Sequence, residues 1–484
     1  MDLLNLLGEV WPHLVGFLTL LVAALASGHA ILHKSDSRAA VLWVGYIWFV
    51  PLLGPVLYLM FGINRLRRRA VALRGNLARP PELPAATLGA LPLTDALLPD
   101  AMHLRSLAQL VGRVVGRPLV GGNTVDALVD GDVPYPAMLS AIAGASRTIS
   151  LSTYIFDNDP SGREFVAALG DAVRRGVEVR VLIDDAGARY SWPSIVHSLR
   201  HARVPVARFL PTFAPWRLMT TNLRNHRKIL VVDGSLGFTG GMNIRQGHRV
   251  AEHPRRPVRD LHFRLAGPVV AQMQEAFAVD WAFVTKESLR GENWFPPLDA
   301  NGSVTARAIP DGPDEDFEKL SLTILGALAC AQTSVRIVTP YFLPDPALIS
   351  ALNLAALRGV QVDIILPRES NLPFVQWASR ALWWQVLQRG CRVWLTPPPF
   401  DHSKLMLVDG YWALVGSANW DPRSLRLNFE FNLECYGPGL AAQLETLFQL
   451  KLETAEPVTL EQVNCRTLPA KLRDGVARLL TPYL

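Results

Sequence analysis

Two stretches of this chain carry the same five chemically useful residues at the same spacing. The first holds His226, Lys228, Asp233, Gly240 and Asn243; the second holds His402, Lys404, Asp409, Gly416 and Asn419. A histidine and a lysine two positions apart point to the same side of an extended strand. The four residues after each lysine, 229–232 and 405–408, are all apolar, as in a strand covered on both faces. Asp233 and Asp409 lie an odd number of positions from the lysines and each precedes a glycine. They are expected to form turns, to point away from a ligand and to serve structure. Asn243 and Asn419 follow small residues, so their backbones can approach a ligand closely.

One such stretch is half a site. Two facing each other supply two imidazoles, two ammonium groups and two amides, a set that suits a phosphodiester. The lysines and amides can hold nonbridging oxygens and stabilise the charge that develops at phosphorus. One imidazole can attack phosphorus while the other protonates the leaving alcohol. A lone histidine on a strand is ordinarily structural, but a pair of five-point matches is not. A bis-histidine metal centre is disfavoured because the two lysines would repel the cation, so neither metal nor cofactor is expected. Asp260 and Glu430 each stand seven residues before a Gly-Pro pair, Gly267-Pro268 and Gly437-Pro438. A carboxylate behind a catalytic imidazole fixes its tautomer and favours its charged form. The plainer alternative is an ion pair with Arg259 or Arg264. Arg423, Ser424 and Asn428 are expected to brace the second half.

The elements that must position these residues also repeat. Residues 148–156 and 335–342 read as buried strands. Residues 175–183 and 358–366 each read as a helix end stopped by glycine and followed by a strand. Strand, helix, strand in each half indicates an α/β unit with crossover helices. Closing helices are expected over 269–285 and 440–453. The sequence therefore divides into a hairpin of two membrane spans (1–64), a basic linker (65–118), a first unit (119–297) and a second unit with a C-terminal tail (298–484).

The hairpin rests on two runs without formal charge, 10–33 and 39–64, each long enough for a hydrocarbon core of roughly 30 Å. Trp11, Trp43 and Trp48 lie near span ends, where Trp is favoured. No basic residue precedes the first run, which argues against a cleaved secretion signal. Pro51 and Gly54-Pro55 interrupt the second run and are read as tolerated breaks. Arg65, Arg67, Arg68, Arg69 and Arg74 then place the bulk of the chain on the cytoplasmic side. Phe213, Pro215, Trp216, Leu218 and Met219, and Trp377, Trp383 and Trp384, suit either core packing, the plainer reading, or further membrane contact. The net charge of +6 suits any phosphate-bearing partner. No extended basic track supports nucleic-acid binding. Cys330, Cys391, Cys435 and Cys465 are too few and scattered for a disulfide framework.

On these residues the chain resembles the phospholipase D superfamily, whose mark is a duplicated His-x-Lys-x4-Asp motif. Within it the chain is similar to the bacterial cardiolipin synthases, over nearly its whole length. The resemblance implies two tandem phospholipase D-like α/β units packed as a pseudo-dimer, with the site between them. It counts His226, Lys228, Asp233, His402, Lys404 and Asp409 as the catalytic set, with Asn243 and Asn419 binding substrate and Asp260 and Glu430 in support. It implies His226 as nucleophile and His402 as acid and then base. The implied reaction moves a phosphatidyl group from one phosphatidylglycerol to another and releases glycerol, at the bacterial inner membrane. Phosphatidylethanolamine is an alternative donor, and an anionic lipid surface the natural partner. Two departures stand out: Asp401 puts a negative charge beside His402, and Gly240-Gly241 replaces the Gly-Ser of the second copy. Hydrolysis by the same chemistry is the nearest alternative; a nuclease and a noncatalytic scaffold are more distant ones. Oligomeric state is not legible in the sequence.

Overall fold

The computed structural model describes residues 3–34, 36–62, 99–211, 223–314 and 316–481, and divides into two units, residues 1–69 and 70–484. In the larger unit, Asp159 and Asp345 cap the helices Pro160–Arg174 and Pro346–Leu357, each of which begins with proline. Gly176 and Gly359 end these helices, both at φ 90°, a conformation open to glycine at little cost. The chain then returns into the sheet. Glu178–Asp184 runs parallel to Thr148–Thr153, and Gln361–Pro367 runs parallel to Ser334–Val338.

The strands that follow each motif lie antiparallel to this pair, so the sheet is mixed. Ile229–Val232 pairs with Thr148–Thr153, and Leu405–Val408 with Ser334–Val338; both are buried throughout. The halves join where Val120–Val129 meets Val304–Asp311 in antiparallel pairing, giving one 16-stranded sheet. They also share a core. Phe263 and Phe277 of the first half and Phe431, Leu444 and Phe448 of the second belong to one buried cluster, centred on the two closing helices Val269–Thr285 and Pro438–Glu453. Residues 99–115, read from sequence as part of a linker, pack into the second half. Helix Arg105–Val115 buries Leu107, Ala108, Val111 and Val115 in the core that holds Leu320 and Ile324.

Two short pairings cross between the halves. Arg224–Asn225 runs parallel to Asn428–Phe429, and Phe400–Asp401 runs parallel to Val258–Arg259. In both cases the next residues in register are a motif histidine and a carboxylate.

The smaller unit corrects the two-span hairpin. Helix Leu3–His33 contains the segment Val10–His33, the one helix among the described residues that is long and apolar enough to cross a membrane, with mean hydropathy 2.0. The second apolar run does not form such a helix. Ser37–Phe49, capped by Asp36, stops after 13 residues, about 20 Å at the helical rise. Pro51 disfavours helical geometry in the residue before it and donates no hydrogen bond. After it come only Leu53–Leu57 and the π-helical turn Tyr58–Gly62. Pro51, read as a tolerated break, therefore ends the helix, while Pro55 lies inside the short helix Leu53–Leu57.

The aromatic group on 373–388 also divides. Trp383 is buried, with its indole donating to Ser379 Oγ at 3.0 Å; Trp377 is half-buried and Trp384 exposed. Phe213, Pro215, Trp216, Leu218, Met219 and the arginines at 65, 67, 68, 69 and 74 lie outside the described residues.

Candidate active site

The crossing pairings set the geometry. His226 N donates to Phe429 O and His402 N to Arg259 O, both at 2.8 Å, which draws each histidine alongside the next residue of the facing segment, Glu430 or Asp260. Nδ1 of His226 then lies 2.9 Å from Glu430, and Nδ1 of His402 lies 2.8 Å from Asp260. A carboxylate can only accept, so each Nδ1 carries the proton and each Nε2 is left for chemistry. Each half thus supplies the carboxylate that orients the other half's imidazole.

The lysines fold back onto their own motifs. Lys228 Nζ donates to His226 O at 2.7 Å, and Lys404 Nζ donates to His402 O. Residues 226–228 and 402–404 precede their strands, so strand alternation does not aim them; these bonds and the crossing pairings do. His226, Lys228 and Lys404 are buried and His402 partly so, and the four are close enough to act on one another electrostatically. Burial first, then Lys404, pulls the Lys228 ammonium down to about 7 against the pull of Glu430. Burial takes Lys404 to about 8, with Asp260 and Glu430 opposing. His226 is lowered by burial and by both lysines while Glu430 opposes; His402 is lowered well below the usual imidazole range by burial, Lys404, Lys228 and His226. Glu430 and Asp260 offset part of this burial cost, and a bound phosphodiester would further favour the charged lysines.

Asp233 and Asp409 bond to backbone N–H groups elsewhere. Asp233 accepts from Ser146 N, Arg147 N and Thr148 N at 2.7–2.9 Å and from the Ser146 hydroxyl. Asp409 accepts from Gln332 N, Thr333 N and Ser334 N at 2.8–2.9 Å and lies 2.8 Å from His103 Nε2. Both hold the start of the neighbouring strand, as their odd spacing suggests, and their place in the catalytic set is not supported by position.

The asparagines differ. Asn419 shares a small cavity with Lys404 and donates to Ser424 Oγ at 3.2 Å. Asn243 Oδ1 accepts from Ile155 N at 3.1 Å, and its backbone carbonyl accepts from the Tyr135 hydroxyl at 2.5 Å. Ser424 and Asn428 do brace the second half, Asn428 through a 3.1 Å bond to Glu430.

Both departures have structural counterparts. The extra charge of Asp401 is met by Lys451 on the closing helix. The first half instead places Arg227 2.9 Å from Asp280 on its own closing helix. Ser417 Oγ donates to Glu430 at 2.5 Å, whereas a side chain at Gly241 would meet the Asp260 carboxylate within 2.2 Å. Asp260 therefore approaches closely because Gly241 leaves room.

Sequence reasoning missed Tyr154 and Tyr341. The Tyr154 ring is 5.1 Å from that of His226 and 5.7 Å from Lys228 Nζ; the Tyr341 ring is 6.2 Å from that of His402. Burial pushes both hydroxyls upward, so they stay protonated donors. Both lie just after the strand that precedes the crossover helix of their half, but one position out of register: Tyr154 corresponds to Pro340 and Tyr341 to Ile155. Asp184 was missed too: it accepts from Asn225 N at 2.8 Å and so holds the first motif loop, and burial pushes it up to about 6.

Comparison with known proteins agrees with this arrangement. Residues 138–281 and 324–451 match a family model described as cardiolipin synthase, PLD-like domain, and residues 21–62 match a phospholipase D-nuclease N-terminal model. The chain is 31% identical to the cardiolipin synthase of Oceanobacillus iheyensis over 97% of this chain and 99% of that protein. It is 33% identical to a cardiolipin synthase A of Pseudomonas putida, covering 98% and 99%. A phosphatidylserine synthase of Haemophilus influenzae shares the fold, with TM-score 0.61 and 15% identity over 78% of this chain and all of that one.

Proposed function

The chain belongs to the cardiolipin synthase family of the phospholipase D superfamily and is a phosphatidyltransferase; from that premise we propose that it joins two phosphatidylglycerols through a phosphohistidine. Nε2 of His226 attacks phosphorus, forming a P–N bond as the bond to the leaving glycerol oxygen breaks. His402, protonated at Nε2, gives its proton to that oxygen. The hydroxyl of a second phosphatidylglycerol then attacks phosphorus while His402 takes its proton, and the P–N bond breaks to release cardiolipin. Lys228 and Lys404 hold the nonbridging oxygens, and Tyr154 and Tyr341 line the approach. The observation that carries this reading is the pair of crossed histidine–carboxylate contacts around two buried lysines. Glu430 and Asp260 keep each imidazole in the tautomer that leaves Nε2 toward the substrate.

One observation favours a second reading, with the histidines exchanged. Glu430 beside His226 accepts from Ser417 Oγ and Asn428, whereas Gly241 offers Asp260 beside His402 no hydroxyl, so the better-held Glu430 suits His226 to the acid role.

The chemistry is tested by incubating the purified full chain with phosphatidylglycerol vesicles and resolving products by mass spectrometry. Cardiolipin and free glycerol in equal amounts are expected. Phosphatidic acid as the main product would instead assign a hydrolase, and cardiolipin formed only when phosphatidylethanolamine is added would assign that lipid as donor.

The catalytic unit is proposed to lie on the cytoplasmic side of a bacterial inner membrane. Asp2 and Glu9 precede the apolar segment Val10–His33 without any Lys or Arg, while Lys34, Arg38, Arg65, Arg67, Arg68 and Arg69 follow it. Protease added outside sealed spheroplasts should leave residues beyond 65 intact; their digestion there would reverse the orientation.

A further inference from the structure

The last described helix, Leu468–Leu479, is apolar on the side that faces away from the protein. Its buried residues are Asp474 and Ala477. With 3.6 residues per turn, Leu468, Leu472, Val476 and Leu479 fall on the opposite side. They are 68%, 60%, 61% and 72% exposed. An apolar stripe turned away from its own core needs an occupant. The charge around it says which. Lys471, Arg473 and Arg478 are exposed beside the stripe, while Asp474, the helix's sole carboxylate, is buried 2.6 Å from Arg466 and 2.7 Å from Arg473. The outward face is apolar in the middle and cationic at the edges, as for a helix lying in a bilayer interface.

This face is continuous with the rim of the active site. Arg473 stacks 4.7 Å over the Trp377 ring, whose edge meets Phe374 at 5.1 Å. Phe374 and Leu372 are exposed and follow Asn371, which accepts a 2.7 Å hydrogen bond from the Tyr341 hydroxyl beside His402. We propose that helix Leu468–Leu479, together with Leu372 and Phe374, is a membrane-docking surface that lies in the interface of an anionic bilayer and seats the mouth of the site on it. This contact is separate from the apolar helix near the N-terminus and lies within the catalytic unit.

The test uses the full chain in vesicles. A spin label is placed at position 472 by Leu472→Cys in a Cys465→Ser background, and its accessibility to oxygen and to a water-soluble nickel chelate is measured. In phosphatidylglycerol vesicles the label should favour oxygen, as it does below the phosphates, and it should become more aqueous in phosphatidylcholine vesicles. A label that is aqueous in both overturns the proposal. So does one equally shielded in detergent at concentrations where the protein is a dimer, which would assign the face to a second copy. This readout needs no turnover, so its failure is distinct from failure of the proposed reaction. In parallel, Leu472→Glu with Val476→Glu should lower turnover of vesicle lipid several-fold and leave turnover of a short-chain, monomeric phosphatidylglycerol unchanged. Equal loss on both substrates, or no loss on vesicles, counts against docking.

Discussion

Glu430 lies 2.9 Å from Nδ1 of His226, a residue 204 positions earlier in the chain and in the other half of the molecule. The carboxylate favours the imidazolium and opposes the burial and lysine charges that lower the histidine's pKa. Glu430→Gln removes that support and leaves the tautomer unfixed. Turnover should fall about 10²–10⁴-fold, by analogy with loss of the aspartate from a serine-protease triad. The sign of the pH effect follows. A nucleophilic His226 is inactive when protonated, below its pKa, and the variant lowers that pKa further. The acid limb of kcat/KM against pH should therefore move to lower pH in Glu430→Gln. An unmoved limb would detach Glu430 from the titration of His226.

The lysines set the other limb. Lys228 and Lys404 lose their protons near 7 and 8 in the free site, so their charge is present below those values and absent above them. Since kcat/KM reports groups of the free enzyme, it should decline as pH rises through 7–8. Lys228→Met or Lys404→Met should cost about 3 kcal/mol in transition-state stabilisation, the scale of one lost oxyanion donor. Because these ammonium groups supply the positive charge, activity is also expected to survive a divalent-metal chelator. Complete loss restored by one specific metal would contradict that.

Much of this site was legible in the chain because its parts are local. The His-x-Lys spacing, the apolar strands after Lys228 and Lys404, and the odd offset of Asp233 and Asp409 are properties of short segments. The crossed pairing was not legible. Asp260 and Glu430 could be recognised as carboxylates behind imidazoles, but which served which depends on the pairings 224–225 with 428–429 and 258–259 with 400–401, contacts between distant segments. Hydrophobicity alone also misjudged residues 39–64. Composition there suits a span, yet Pro51 is a backbone constraint, and it ends the helix at Phe49. Tyr154 and Tyr341 were hidden for a different reason: at strand ends an aromatic ring reads as core, and only the fold turns it toward the histidines.

Asp233 offers a test of structure against catalysis. Burial raises its pKa, but bonds from Ser146, Thr148 and Arg147 prevail and hold it below the usual carboxylate range; Asp409 is lowered in the same way by Ser334, Thr333 and Gln332. A depressed carboxylate contributes stability that is present above its unfolded pKa and lost as pH falls through the folded one. Asp233→Asn should destabilise the catalytic unit by about 1–3 kcal/mol, as when hydrogen-bonded partners are left unsatisfied. Its Tm should drop, with a smaller difference from the parent at pH 3 than at pH 7, while turnover per folded molecule is kept. A large loss of kcat in fully folded protein would return the aspartate to the catalytic set.

The two histidines are alike in contacts but should be unlike in role. If His226 is the nucleophile, no covalent species forms without it, so His226→Ala should abolish both cardiolipin and phosphatidyl-enzyme. His402 then protonates the first leaving group and deprotonates the second attacker, and its loss should slow each step about 10²–10⁴-fold. A donor with a nitrophenyl leaving group needs no proton for the first step. With it, His402→Ala should recover formation of the intermediate but not its transfer, and phosphatidyl-enzyme should accumulate on His226. The asymmetry around the carboxylates argues the other way. Glu430 is held by Ser417 and Asn428 and stays ionised, whereas burial raises the pKa of Asp260, beside which Gly241 offers no hydroxyl. A firmly ionised partner better stabilises an imidazolium, which would favour His226 as the acid. Rapid acid quench with labelled donor, followed by mass-spectrometric mapping, separates the two. Label on His226 supports the proposed roles, and label on His402 exchanges them. Label on neither, under conditions where turnover is confirmed, would mean direct transfer between lipids without a covalent enzyme.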